Sequence, residues 1–168
     1  MFTAQIPGHG PFMIRYPRGK GVMPEWHETM RTMEIGKGER LVDGEKVAAL
    51  TLGPLGNKVL EAVESLKSQG MSVACYNMIF LKPIDEDILA EVGAKFKQVI
   101  TVEDGTRNGG FGSAVLEYFA DHDINIKVKR LGLPDKFVEH GTPDELYKLC
   151  GLDSERIEKV IREAYENV

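Results

Sequence analysis

The sequence predicts an α/β domain in three layers, with helices on both faces of a mostly parallel sheet, and three observations support this. Short runs of apolar and β-branched residues alternate with segments whose apolar residues recur every three or four positions. Each helical segment is about one crossover long, the connection a parallel pair of strands requires. One further short strand, at 40–43, is separated from the next only by Gly44-Glu45. A turn that tight predicts an antiparallel pair, placing the short strand at an edge.

Residues 1–21 stand apart from this pattern. Pro11-Phe12-Met13-Ile14 reads as the end of a short apolar strand, and Arg15-Tyr16-Pro17-Arg18-Gly19-Lys20-Gly21 follows where that strand surfaces. Such an exit is a common place for anion-binding side chains. Pro17 has no N–H and ends ladder pairing there. With no helix or sheet partner before it, the strand reads as the last strand of a domain whose body lies elsewhere. A solvated basic turn is the plain alternative for the motif alone. Residues 22–38, with Trp26, His27 and Gly36-Lys37-Gly38, lack periodicity and read as a linker.

From Glu39 the order is regular. Lys46–Leu52 is a buried strand, and Gly53-Pro54 leads into a helix over 55–69 with Val59, Leu60, Val63 and Leu66 on one face, capped by Gly70. Ser72–Asn77 is the next strand. After the loop 81–85, Asp85 caps a helix through Val92, with Asp87 near its positive end. Gln98–Val102 is a third buried strand, and Gly109-Gly110-Phe111-Gly112-Ser113 leads into the helix 114–121. A fourth follows at 126–131. Thr142-Pro143-Asp144-Glu145 combines an N-cap threonine, a first-turn proline and a capping-box glutamate, so a helix starts there and stops at Gly151. The last helix is 154–167.

A length of 168 residues fits one domain of ordinary size. A net charge of −5 disfavours a nucleic-acid partner. No apolar stretch approaches the roughly 18 residues of a membrane span, and Met1–Gln5 lacks the basic start and apolar core of a signal peptide. Cys75 and Cys150, in a predicted strand and a predicted helix, read as reduced thiols of a cytoplasmic protein. His9, His27, His122 and His140 pair with no histidine or cysteine at ligand spacing, so no metal site is expected.

Glu103-Asp104-Gly105 followed by Gly109–Gly112 lies between a strand's carboxyl end and a helix N-terminus, where doubly wound sheets bind ligands. The spacing matches neither Gly-x-Gly-x-x-Gly nor a phosphate loop, and two acids beside it repel phosphate. The structural reading is that the glycines let helix and strand pack closely and that Glu103 or Asp104 meets a neighbouring subunit. The alternative is a regulatory anion or nucleotide site. Thr51–Pro54 reads as a plain connection, His140 as a loop histidine with a structural hydrogen bond, and the acids at 85–87 as a helix-dipole complement. No catalytic set is complete.

Four ordered motifs carry a resemblance: Arg15-Tyr16-Pro17-Arg18-Gly19; Asn77–Asp85; Val102–Gly105 with Gly109–Ser113; and Leu131–Gly141. Together the chain resembles the carboxy-terminal part of the 1-deoxy-D-xylulose-5-phosphate synthase family, in the thiamine-diphosphate-dependent transketolase group. The resemblance implies a transketolase C-terminal-like domain at 39–168 with a five-stranded mixed sheet, and makes 1–21 the remnant of a pyrimidine-binding domain. It implies a homodimeric transferase condensing pyruvate with glyceraldehyde 3-phosphate, releasing carbon dioxide, for isoprenoid, thiamine and pyridoxal synthesis. Thiamine diphosphate and magnesium belong to the full-length enzyme and none is expected to bind this chain, which alone is expected to be inactive. Arg18 is implied to face the substrate phosphate, with Arg15 and Tyr16 as further candidates. Another transketolase-group enzyme is the rival reading.

Overall fold

A computed structural model of the chain describes residues 1–17 and 29–168. Among the described residues, apart from one 3-10 turn at Thr3–Gln5, regular structure begins at Glu39. Strands β1 (Glu39–Val42), β2 (Val47–Leu52), β3 (Val73–Asn77), β4 (Gln98–Thr106) and β5 (Lys127–Leu133) form one sheet. Helices α1 (Gly56–Ser68), α2 (Glu86–Lys95), α3 (Phe111–Asp121), α4 (Pro143–Cys150) and α5 (Ser154–Glu166) complete the chain. No helix among the described residues is long and apolar enough to cross a membrane.

The sheet order is β1-β3-β2-β4-β5, with β1 antiparallel and the rest parallel. β2 is buried from Val47 to Thr51, the continuous apolar run of a strand covered on both faces. β2 connects through α1 to β3 on one side, and β3 connects through α2 back across β2 to β4. Reversing direction under a fixed crossover hand sends the helices to opposite faces. The core divides accordingly. On one face, Val59, Val63 and Leu66 of α1 pack with Ile157, Val160 and Ile161 of α5 against Val47, Cys75 and Ile100. On the other, Leu89 and Val92 of α2 pack with Phe111, Val115 and Phe119 of α3 against Leu50, Tyr76 and Val99. Burial pushes the Cys75 thiol up to about 12, so it stays protonated at neutral pH.

The caps agree with the sequence. Asp85 accepts from Ile88 N at 3.1 Å, and Thr142 and Glu145 form the reciprocal capping box.

Two expectations are corrected. The strand at 40–43 is antiparallel and at the edge, but it pairs with β3, not with the strand that follows it. Between them the chain steps over the start of β3: a Cβ at Gly44 would fall on the backbone of Val73 and Ala74, and Glu45 N donates to Ser72 O at 3.2 Å. A step this short reads as a hairpin from sequence, yet here the missing side chain makes a crossing possible. Residues 11–14 form no strand. They join neither edge of the sheet, and an extended segment without a ladder is not a strand. In the linker, Trp26 and His27 lie outside the described residues. Its end docks on the domain: Gly38 N donates to Asp85 Oδ2 at 2.8 Å and Lys37 pairs with Asp87.

The Gly44→Val variant is expected to lose about 3 kcal/mol or more of stability, since backbone must move on both sides of the crossing. Urea unfolding of this chain measures it, and an unchanged midpoint contradicts the crossing.

Candidate functional site at the carboxyl end of the sheet

β2 and β4 are neighbours whose outgoing connections leave toward opposite faces, which opens a crevice at their carboxyl ends. Two features fill it. One is the buried carboxylate of Glu103, 4% exposed, which accepts from Phe111 N at 2.8 Å and Gly112 N at 2.9 Å. These N–H groups begin α3 and have no partner within the helix. Moving a carboxylate out of water costs several kcal/mol. Two hydrogen bonds to a charged acceptor return about 1.5–3 kcal/mol each, and the helix dipole adds up to about 2. The burial is therefore sustainable. Of the two acids expected to offer one contact to a neighbouring subunit, Glu103 or Asp104, Glu103 instead turns inward, because an acid in a buried strand must find donors. Close packing by the glycines holds. A Cβ at Gly112 would stand 2.5 Å from Thr101 Oγ1, and one at Gly110 would strike the Thr106 carbonyl oxygen.

The second feature is the N-terminal arm. Phe12 meets Phe80, beyond β3, edge to face at 6.4 Å, and Arg15 Nη2 donates to the Asp104 carbonyl oxygen of β4 at 2.7 Å. The arm thus spans the carboxyl end of the sheet. Asp104 Oδ2 accepts from Tyr147 Oη at 3.1 Å. Burial, then the Asp104 charge, pushes the Tyr147 phenol up to about 12. Lys58 lies over the Tyr147 ring and 3.3 Å from Asp144. On the far side of the loop, Arg130 Nη1 donates to Arg107 O at 2.7 Å and Ser113 Oγ at 2.8 Å.

Of the residues singled out from sequence, Arg15 is brought to the site, Tyr16 is exposed beside it, and Arg18 lies outside the described residues. His140 is exposed on the connector after β5 and makes no hydrogen bond among the described residues, against the expectation of one. His122 stacks on Tyr118 at 4.1 Å. No group of three or more His, Cys, Asp or Glu among the described residues could hold a metal ion. The Gly109–Gly112 loop already has a carboxylate of its own where an anion would sit. Sequence reasoning missed Tyr147 entirely. Its partner Asp104 lies 43 residues away, a separation no local pattern bridges.

The family model of the transketolase C-terminal domain matches residues 36–157. The chain belongs to the transketolase C-terminal-domain family. It is 51% identical over 162 residues to a 1-deoxy-D-xylulose-5-phosphate synthase of Parabacteroides distasonis, covering 96% of this chain and 26% of that protein. The synthase of Syntrophotalea carbinolica is 44% identical over 91% of the chain and 24% of its own length. This chain therefore spans about a quarter of the length of the curated relatives it matches. Among solved structures, a split gene transketolase described as an inactive β4 tetramer superposes with a TM-score of 0.74 at 32% identity, covering 81% of this chain and 44% of that one. The resemblance read from four motifs is borne out, and so is the three-layer α/β architecture with one antiparallel strand.

In this transketolase C-terminal domain, Glu103→Gln keeps the shape but presents an amide N–H₂ to one of two backbone donors. A loss of about 1–3 kcal/mol in unfolding free energy is expected by denaturant titration. An unchanged value contradicts the cap.

Proposed function

We propose that the chain is the carboxy-terminal part of a thiamine-diphosphate-dependent 1-deoxy-D-xylulose-5-phosphate synthase, which condenses pyruvate with glyceraldehyde 3-phosphate and releases carbon dioxide. The observation that carries this is identity near one half across 96% of the chain to proteins of that name, of which it covers about a quarter. On this reading 1–21 belongs to the preceding pyrimidine-binding domain, 22–38 links, and 39–168 is the C-terminal domain. In the parent enzyme that domain supports the domain before it and extends a homodimer interface, in the cytoplasm. Isoprenoid, thiamine and pyridoxal precursors follow from the product.

On this reading the described residues offer thiamine diphosphate no seat of their own. The α3 N-terminus, the natural seat for a diphosphate, is closed by Glu103. The cofactor and its magnesium are assigned to the remaining domains. What the chain offers the reaction is Arg18, in the Tyr-Pro-Arg-Gly run: a planar guanidinium can donate two hydrogen bonds to a substrate phosphate. A second reading is favoured by the likeness to a split gene transketolase: the missing domains sit on a separate chain.

In the full-length enzyme Arg18→Gln is expected to raise KM for glyceraldehyde 3-phosphate by about tenfold or more, as loss of a charged hydrogen-bond pair implies. Steady-state kinetics decides, and an unchanged KM contradicts the role. In the same assay this chain alone is expected to give no product.

A further inference from the structure

Of the five asparagines in the sequence, Asn108 alone is followed by glycine. Asn125 and Asn167 precede Ile126 and Val168, whose β-branched side chains crowd the backbone nitrogen they share a residue with. Asn57 lies in α1, and the Asn77 side chain is held, donating to Glu39 Oε1 at 3.2 Å and accepting from Ile79 N at 3.3 Å. Asn108 differs on each count. It sits in the exposed bend at 107–110 between β4 and α3, and its side chain makes no hydrogen bond among the described residues.

Gly109 is open in the same way. Its φ of +74° is one that glycine adopts freely, and a Cβ placed there would meet nothing within 4 Å beyond its chain neighbours. No side chain at 109 therefore shields the Gly109 nitrogen from the side-chain amide carbon of Asn108. That nitrogen has one partner, Ser113 Oγ, to which it donates at 3.0 Å. The hydroxyl also accepts from Arg130 Nη1 at 2.8 Å and donates to Arg107 O at 3.2 Å. Ser113 thus ties the residues on both sides of Asn108 and leaves Asn108 itself free.

We propose that Asn108 is a site of spontaneous deamidation through a cyclic imide with Gly109, and that the Ser113 hydroxyl slows the reaction by holding the attacking nitrogen. The Gly109 nitrogen loses its proton to solvent hydroxide and attacks Asn108 Cγ. The bond from nitrogen to Cγ forms, the bond from Cγ to the amide nitrogen breaks, and the amide leaves as ammonia after taking a proton. Water then opens the imide at either carbonyl, giving aspartate or isoaspartate. Nothing is oxidised or reduced, and water is the only co-reactant. The attack requires the Gly109 N–H to leave Ser113 Oγ first, so the hydrogen bond adds to the barrier.

The two products differ in what they do to the bend. Aspartate keeps the main chain and places a carboxylate just ahead of Gly110, the N-cap of α3, where negative charge is favoured. Isoaspartate inserts a methylene into the main chain between two tied points, since Arg107 N is fixed to Leu133 O at 2.9 Å and Gly109 N to Ser113. That form must release the Ser113 contact. The inference is independent of which reaction the parent enzyme catalyses.

The test holds this chain, folded, at mildly alkaline pH and maps its peptides over time by mass spectrometry. Conversion of amide to acid is expected at Asn108 ahead of the other asparagines, as two peptides of equal mass, and faster as pH rises. Ser113→Ala is expected to speed conversion at Asn108 about two- to tenfold, the worth of one hydrogen bond. Ser113→Thr, which keeps a hydroxyl, should stay near the wild-type rate, and Asn108→Gln should remove the product. If Ser113→Ala loosens the whole fold, the other asparagines speed up too, so the ratio of Asn108 to Asn57 conversion carries the answer. No conversion at Asn108, or earlier conversion at another asparagine, would overturn the site. An unchanged ratio in Ser113→Ala would overturn the restraint.

Discussion

The carboxylate of Glu103 sits between the last residues of β4 and the first turn of α3, accepting from two backbone N–H groups that the helix itself cannot satisfy. That contact fixes how strand and helix meet, and the arrangement around it depends on the meeting point. The glycines at 110 and 112 are needed because the approach leaves no room for a side chain. Asp104, next along, is thereby held with its carbonyl toward the arm and its carboxylate toward Tyr147. The same contact also decides what this end of the sheet does not do. A loop that by position could cradle an anion is filled by an internal one.

Much of the fold was legible because its signals are local. Asp85 and the Thr142–Glu145 box predicted two helix starts correctly, since capping is settled within four residues. The buried strands read at 46–52 and 98–102 were legible as largely apolar runs, and the alternation of strand and helix fixed the layers. β4 runs on to Thr106 and α3 begins at Phe111, earlier than the helical periodicity alone indicated. What was not legible was pairing. The step at 43–46 looks like a hairpin turn, but the edge of β2 it would use is taken by β3, and only the assembled sheet shows that. Likewise Pro11–Ile14 has the composition of a strand and no ladder to join.

The site divides in the same way. Arg15 and the Glu103–Gly112 stretch stood out by residue type and place. Their pairings did not, because Arg15 and Asp104 are 89 residues apart and Asp104 and Tyr147 are 43. An acid inside an apolar strand did carry a signal: buried charge demands donors, and the nearest unsatisfied donors were those of the helix that follows. Followed to its end, that argument places the carboxylate inward. Family membership then explains why the set is incomplete. A domain spanning about a quarter of its relatives' length carries an arm, a crevice and a cap, and the proposed chemistry needs the rest.

The most direct measurement of the cap is native-state hydrogen exchange in this chain, read at the amides of Phe111 and Gly112. First-turn helix amides ordinarily lack a partner and exchange by small local openings. Held by Glu103, these two are expected to need an opening free energy close to that of global unfolding. Exchange at the rate of an exposed loop amide at those two positions would contradict the account.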